Sequence, residues 1–184
     1  MFWHNSIGFR PVEEDDLEQI RTLRNDPSTW VFLTSIGQIS KPKQREWYQR
    51  INQDSSVAYY SLVEEHKDFP VSYEGDFLGI IRMDEIDIHN RSIRVGADII
   101  PDKRGKGWGT KAFQAILKFC FDQLGVHRVW LCVLEDNAIA LKLYKSAGFT
   151  EEGRYRQAIW RDGKFKNYII MSILEDEYRG QNAL

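Results

Sequence analysis

The chain has 184 residues, 42% hydrophobic and 28% charged, which suits one globular domain with a sizeable core. Its formal charge is −2 with no block of like charges, so no basic face is expected for nucleic acid. No apolar run approaches the ~20 residues that span a bilayer, and Met-Phe-Trp-His-Asn-Ser at the start lacks the basic-then-apolar pattern of a signal peptide, so neither membrane nor export is expected.

Taken in order, Ile7 to Pro11 reads as a first strand. Glu13 to Asn25 reads as a helix, with apolar residues at Leu17, Ile20 and Leu23 and acids crowded into its first turn, as helix N-termini favour. Asp26-Pro27 stops it, because the residue before proline avoids the helical region. Trp30 to Leu33 is an apolar cluster in a loop or short helix. It reads as core, or, with Trp30 and Phe32 beside a cleft, as part of a substrate pocket. Ser40 caps a helix from about Lys41 to Ile51, with Trp47 and Ile51 on one face.

Val57 to Glu64 and Phe77 to Ile88 are β-rich runs joined by the polar stretch His66 to Asp76, a long hairpin. Ser92 to Ile100 is a further strand. After a glycine-rich loop, Phe113, Ile116, Leu117, Cys120 and Leu124 recur at i, i+3, i+4, i+7 and i+11, an amphipathic helix that Gly125 ends. Arg128 to Leu134 is a buried-type strand, and Ala138 to Ala147 a helix closed by Gly148. Thr150 to Ile159 and Phe165 to Leu174 flank Asp162-Gly163, a strong hairpin turn. Residues 1–174 are therefore expected to form one domain. The polar Glu175 to Leu184 is expected to fray as a tail. The element order gives an α+β or α/β fold, a mixed sheet covered by helices.

Cys120 and Cys132 sit in apolar settings and read as buried free thiols, suited to a reducing cytoplasm. His4, His66, His89 and His127 have no metal-ligand spacing among themselves or with the cysteines, so no metal is expected.

The loop Pro101 to Thr110 reads Pro-Asp-Lys-Arg-Gly-Lys-Gly-Trp-Gly-Thr, between a strand and a helix. Gly105, Gly107 and Gly109 let backbone approach a ligand without a Cβ in the way, and the first amides of the helix point outward as anion donors. The plain alternative is a turn that only caps a helix. A P-loop is excluded because Thr110 and Lys111 stand in the wrong order after Gly109. A dinucleotide fingerprint is excluded because only Trp108 separates Gly107 from Gly109. What fits is Arg/Gln-x-x-Gly-x-Gly/Ala, filled by Arg104, Gly107 and Gly109. It resembles the acyl-CoA pyrophosphate loop of the GNAT superfamily of N-acetyltransferases.

A second stretch, Asn137 to Phe149, resembles the Asn-x-x-Ala-x-x-Leu-Tyr-x-x-x-Gly-Phe segment of the same superfamily, filled by Asn137, Ala140, Leu143, Tyr144, Gly148 and Phe149. The Arg24-Asn25 ending of the first helix and the hairpin at Asp162-Gly163 are similar to a subgroup. That subgroup holds ribosomal-protein N-terminal acetyltransferases and acetyltransferases of nucleotide-linked amino sugars. The resemblance implies a mostly antiparallel sheet in which Ser92–Ile100 splays from Arg128–Leu134. It also implies acetyl-CoA as co-substrate and direct transfer to a primary amine of a protein N-terminus, an amino sugar or a small molecule.

Transfer from a thioester to an amine makes physical demands on such a site. The diphosphate needs anchors, for which Gly105, Lys106, Gly107, Gly109 and Thr110 offer backbone amides and Arg104 a charge. By resemblance, amides near Ile99 and Ile100 polarise the acyl carbonyl. The leaving thiolate needs a proton, and Tyr144 is the expected general acid, since a phenol near pKa ~10 outlasts a thiol near ~8.5. On position alone Tyr144 reads as core, being on the apolar stripe of its helix; the flanking motif favours the functional role. Asn137 caps that helix and, by resemblance, contacts the pantetheine amides. Some members carry a Glu early in the Ser92–Ile100 strand as base, where this chain has Arg94. Asp98, Glu85 and His89 are the alternatives. The expected partner is an amine, small or peptidic, with a homodimer as the one protein–protein expectation. A CoA-binding sensor without chemistry is the rival from another class, and an intact Tyr144 argues against it.

Overall fold

The computed structural model describes residues 1–34, 38–65 and 75–181. Eight strands make one sheet in the order β1-β2-β3-β4-β5-β6-β8-β7. They are β1 (Phe2–His4), β2 (Ile7–Pro11), β3 (Ala58–Glu64), β4 (Asp76–Asp87), β5 (Ser92–Ile99), β6 (Arg128–Leu134), β7 (Thr150–Arg161) and β8 (Lys164–Leu174). Every neighbouring pair is antiparallel except β5 and β6. The parallel pair follows from the crossover between them, α4 (Trp108–Lys118), because parallel strands cannot be joined by a tight turn.

Strand alternation sends side chains to two differently covered faces. On one face Ile81, Met83, Ile93, Val95, Val129 and Leu131 meet Phe113, Ile116 and Leu117 of α4 in the main core. Fully burying each such side chain stabilises by ~1.5–3 kcal/mol. On the other face Ile80 packs under Ile20 and Leu23 of α1 (Leu17–Asn25). Trp47 of α3 (Lys41–Ile51) meets Tyr59 edge-on at 5.1 Å there. A short α2 (Pro27–Trp30) follows α1, and α5 (Ala138–Ser146) follows β6.

Four expectations are amended. The residues before Ile7 form β1, which turns into β2 through Asn5 and Ser6, both at positive φ (52° and 65°), a primed hairpin geometry. The first helix begins with a 3-10 turn at Glu14–Asp16 and turns α-helical at Leu17. The helix after the glycine loop passes from α4 into a π turn over Phe119–Gln123 before Gly125 at φ 62° ends it. The tail does not fray at once: α6 (Glu175–Gln181) forms, because Tyr178 stacks on Phe121 at 4.7 Å and Arg179 reaches back to Glu175 at 2.8 Å. The polar stretch within the β3–β4 hairpin lies mostly outside the described residues, as do residues 182–184. The turn at Asp162-Gly163 has φ of 51° and 75°, the geometry its sequence calls for.

Candidate active site

β5 and β6 are paired at only three positions, Ser92↔Arg128, Ile93↔Val129 and Arg94↔Trp130. Beyond Arg94 they part, while β5 stays paired to β4 as far as Ile99. The amide of Ile100 donates to the carbonyl of Leu78 at 2.9 Å, which makes Gly79↔Ile99 a non-hydrogen-bonded pair. By alternation the backbone groups of Val95, Ala97 and Ile99 then face away from β4, into the opening. Of the two amides expected to polarise a carbonyl, Ile99's faces the gap and Ile100's is taken by Leu78.

The glycine loop stands at the mouth of this gap. A 3-10 turn at Pro101–Lys103 leads to Gly105 (φ 72°) and to Gly107 (φ 84°), which is the N-cap of α4 and supplies no side-chain acceptor. The first intrahelical bond runs from Lys111 N–H to the Gly107 carbonyl at 3.1 Å, leaving the amides of Trp108, Gly109 and Thr110 without helical acceptors. A Cβ on Gly105 or Gly107 would meet nothing within 4 Å, so the space before both is open. Gly109 differs: a Cβ there would lie 2.9 Å from Leu143 Cδ1, so its bareness serves the packing of α4 against α5. Open space faced by outward amides is the shape a diphosphate requires, and these residues fit one.

Arg104 takes a position that its sequence does not foretell. Its guanidinium donates to the Ile99 carbonyl at 2.8 Å, to Ser28 Oγ at 2.7 Å and to Thr29 Oγ1, clamping the loop to α2. Lys106 Nζ folds onto the Asp102 carbonyl at 2.9 Å, and Thr110 is exposed. Trp30 is half-buried on α2 and Phe32 is exposed just after it. Asn25 holds the entry to α3 in place, donating to the Ile39 carbonyl at 2.9 Å and accepting from its amide at 2.7 Å.

Across the gap, Asn137 caps α5 by accepting from the Ala140 amide at 3.1 Å. Tyr144 packs on Phe113 at 4.9 Å and on Phe149 at 5.9 Å, both on the α4 side of the sheet. Its phenol also feels Arg82 and Asp98, which alternate with Ile81 and Ala97 and so project to the opposite face. Tyr144 thus packs its ring in the main core while its hydroxyl lies within the field of that pair. Burial pushes its hydroxyl up to about 12; Arg82 opposes that shift and Asp98 adds to it. The group stays a neutral donor throughout the physiological range.

On the α1 side sits a polar cluster that the sequence did not reveal as one. Arg82 Nε lies 3.6 Å from Asp98 Oδ2, and both atoms are buried without a hydrogen-bond partner, as are Arg24 Nε and Gln44 Nε2. Arg24 is pushed below its ordinary range, first by burial and then by Arg82. Among the proposed bases, Asp98 alone belongs to this cluster. Glu85 is exposed and paired to Arg94 at 2.9 Å, and Arg94 also binds Asp84 at 2.5 Å and lies over the Trp130 ring. His89 is exposed in the β4–β5 turn, at the far end of β5 from Asp98, ~20 Å away at ~3.3 Å per strand residue. The one signal for Arg82 was a charged residue inside the apolar run of β4. Among the described residues no group of three or more His, Cys, Asp or Glu is placed to hold a metal, and no helix is long and apolar enough to cross a membrane.

Residues 6–150 match the family model described as an acetyltransferase (GNAT) domain. Spermidine N(1)-acetyltransferase of Escherichia coli K12 is 24% identical over 184 residues, covering 97% of this chain and 91% of that protein. The L-amino acid N-acetyltransferase of the same strain is 26% identical over 170 residues, covering 91% and 98%. The crystal structure of Vibrio cholerae spermidine N-acetyltransferase with CoA and spermine superposes with a TM-score of 0.86 at 23% identity, over 96% of this chain and 99% of that one.

Proposed function

The chain belongs to the GNAT acetyltransferase family and uses acetyl-CoA, and from that premise we propose that it moves the acetyl group directly to a primary amine, with Tyr144 as general acid. The observation that carries this reading is Tyr144 itself: a buried phenol that keeps its proton, packed on Phe113 and within the field of Arg82 and Asp98. Bound acetyl-CoA supplies an acetyl group activated as a thioester.

The residues divide the work by position. Amides of Trp108, Gly109 and Thr110, reached past Gly105 and Gly107, hold the diphosphate. Lys106 adds charge beside them, and Arg104 holds the loop in register by its clamp on α2. The Ile99 amide donates to the acyl oxygen, where losing one such donor typically costs ~100–1000-fold in rate. The Asn137 side chain keeps α5 capped and offers its remaining amide hydrogens to the arm lying along the gap. Tyr144 Oη delivers its proton to the departing sulfur. Asp98, whose ion pair among the described residues is with Arg82, receives the proton of the incoming ammonium, which matters because alkyl amines near pKa ~10 are almost wholly protonated at neutral pH. Trp30 and Phe32 line the acceptor approach beside α2.

Relatives that act on spermidine and on L-amino acids both take a primary amine, which supports the reaction class for this chain. Release of free CoA thiol, followed with a chromogenic thiol reagent across an amine panel, is the test. Amine-dependent release is expected; binding of acetyl-CoA without release for any amine would make the protein a sensor instead.

A further inference from the structure

Among the described residues, the α1 side of the sheet carries more guanidiniums than carboxylates around Tyr144 and Tyr168. Four guanidiniums, Arg24, Arg82, Arg94 and Arg161, act on one another or on Tyr144 and Tyr168 there. Three carboxylates answer them. Asp84 and Glu85 both belong to Arg94, at 2.5 and 2.9 Å, and Asp98 lies 3.6 Å from Arg82. Arg161 is buried and donates to the carbonyls of Trp160 and Leu33, neutral acceptors that leave its charge in place. Arg24 makes no hydrogen bond or ion pair among the described residues, and its Nε is buried. Arg24 and Arg82 share one carboxylate, Asp98, so two guanidiniums answer to a single anion, and charges removed from water are normally paired or ligate something.

We propose that the acceptor amine carries an anionic group, a carboxylate or a phosphate, that Arg24 receives while the amino group faces Asp98 and Tyr144. This rests on the amine-acetylation reading above. Arginine suits the task because its planar fork meets either anion through two parallel bonds. The same surplus charge disfavours a polycation, whose second ammonium would meet Arg24 and Arg82 with only Asp98 between them. It also favours the free-base form of the amine that must attack, since nearby positive charge disfavours an ammonium.

Calorimetry on the CoA-saturated protein tests this with matched probes: L-phenylalanine against phenethylamine, O-phosphoethanolamine against ethanolamine, and spermidine. At least one anionic probe should bind ten-fold or more tighter than its partner, and which pair responds tells carboxylate from phosphate. Arg24→Met should abolish that preference without changing acetyl-CoA affinity, and Arg24→Lys should retain part of it. No anionic preference in either pair, tightest binding of spermidine, or a preference that survives Arg24→Met would overturn the proposal. The wild-type comparison decides the matter even if a variant fails to fold. Anionic preference with no thiol release from any of the five amines would count against the acetylation reading and leave Arg24 as an anion-binding residue alone.

Discussion

In Tyr144 core packing and the proposed chemistry meet in one side chain. Its ring belongs to the aromatic cluster with Phe113 and Phe149, and its hydroxyl to the polar side with Arg82 and Asp98. Tyr144→Phe keeps the ring and removes the proton. We expect turnover to fall ~100-fold, the usual scale for a positioned acid. Acetyl-CoA affinity should hold, and Tm should move little, since one net hydrogen bond is worth ~1 kcal/mol. Normal turnover with a clear loss of stability, by steady-state kinetics and thermal melting, would make Tyr144 core alone. The raised phenol also sets a sign. A group that holds its proton to about 12 causes no loss of rate below pH ~10, so any alkaline limb in that range belongs to another group.

At the scale of elements, the glycine loop and α4 show two glycines of one motif with different work. Gly107 sits at φ 84° before open space, whereas Gly109 lies within the α4–α5 contact. Gly107→Val puts a branched Cβ into the path of the diphosphate and forces a β-branched residue into the left-handed region. It should weaken acetyl-CoA binding at least ten-fold, ~1.4 kcal/mol. Gly109→Val instead drives a Cβ into Leu143, one residue before Tyr144. Its loss should appear in melting temperature and turnover more than in acetyl-CoA affinity. Calorimetry beside thermal melts separates the two, and identical behaviour of both variants would refute this division of roles.

For the molecule as a whole, Asp16 is the keystone. It is buried, takes a bidentate pair from Arg10 of β2 at 2.7 and 2.9 Å, and accepts from Ser61 of β3 at 2.7 Å and from the Glu13 amide at 2.9 Å. One carboxylate thus ties the start of α1 to two strands. Burial alone would raise its pKa; the bonds from Arg10, Glu13 and Ser61 outweigh that and hold it below the ordinary carboxylate value. A depressed folded pKa means the stabilisation is present above the unfolded value near 4 and is lost as pH falls below it. Asp16→Asn should cost ~3–5 kcal/mol, the range for breaking a buried pair from one side. It should also flatten the dependence of stability on pH below ~4. Urea titrations across pH check both; a variant as stable as wild type would remove Asp16 from this role.

How far the sequence alone reached depended on whether the cause was local. α3 runs from Lys41 to Ile51 as its cap and periodicity require, because Ser40 accepts from the Lys43 amide at 3.4 Å within one turn. The Asp162-Gly163 hairpin and the first amides of α4 were equally legible, being matters of φ and of helix ends. β1 escaped notice because three residues carry no period and exist as a strand only through pairing with β2. α6 escaped because its one apolar anchor, Tyr178, finds its partner Phe121 far away in the chain. The motifs pointed to Tyr144, but not to what surrounds it. Arg24, Arg82 and Asp98 come from a helix and two strands, and only β4–β5 pairing and the seat of α1 on the sheet bring their charges together. Charge in a cleft is a sum over space, and no spacing along the chain encodes that sum. The sequence by itself determined those elements whose cause is local, among them α3, the Asp162-Gly163 turn and the open amides at the start of α4. Tertiary structure alone decided which charges meet, because burial and the pairing of charges are properties of packed surfaces.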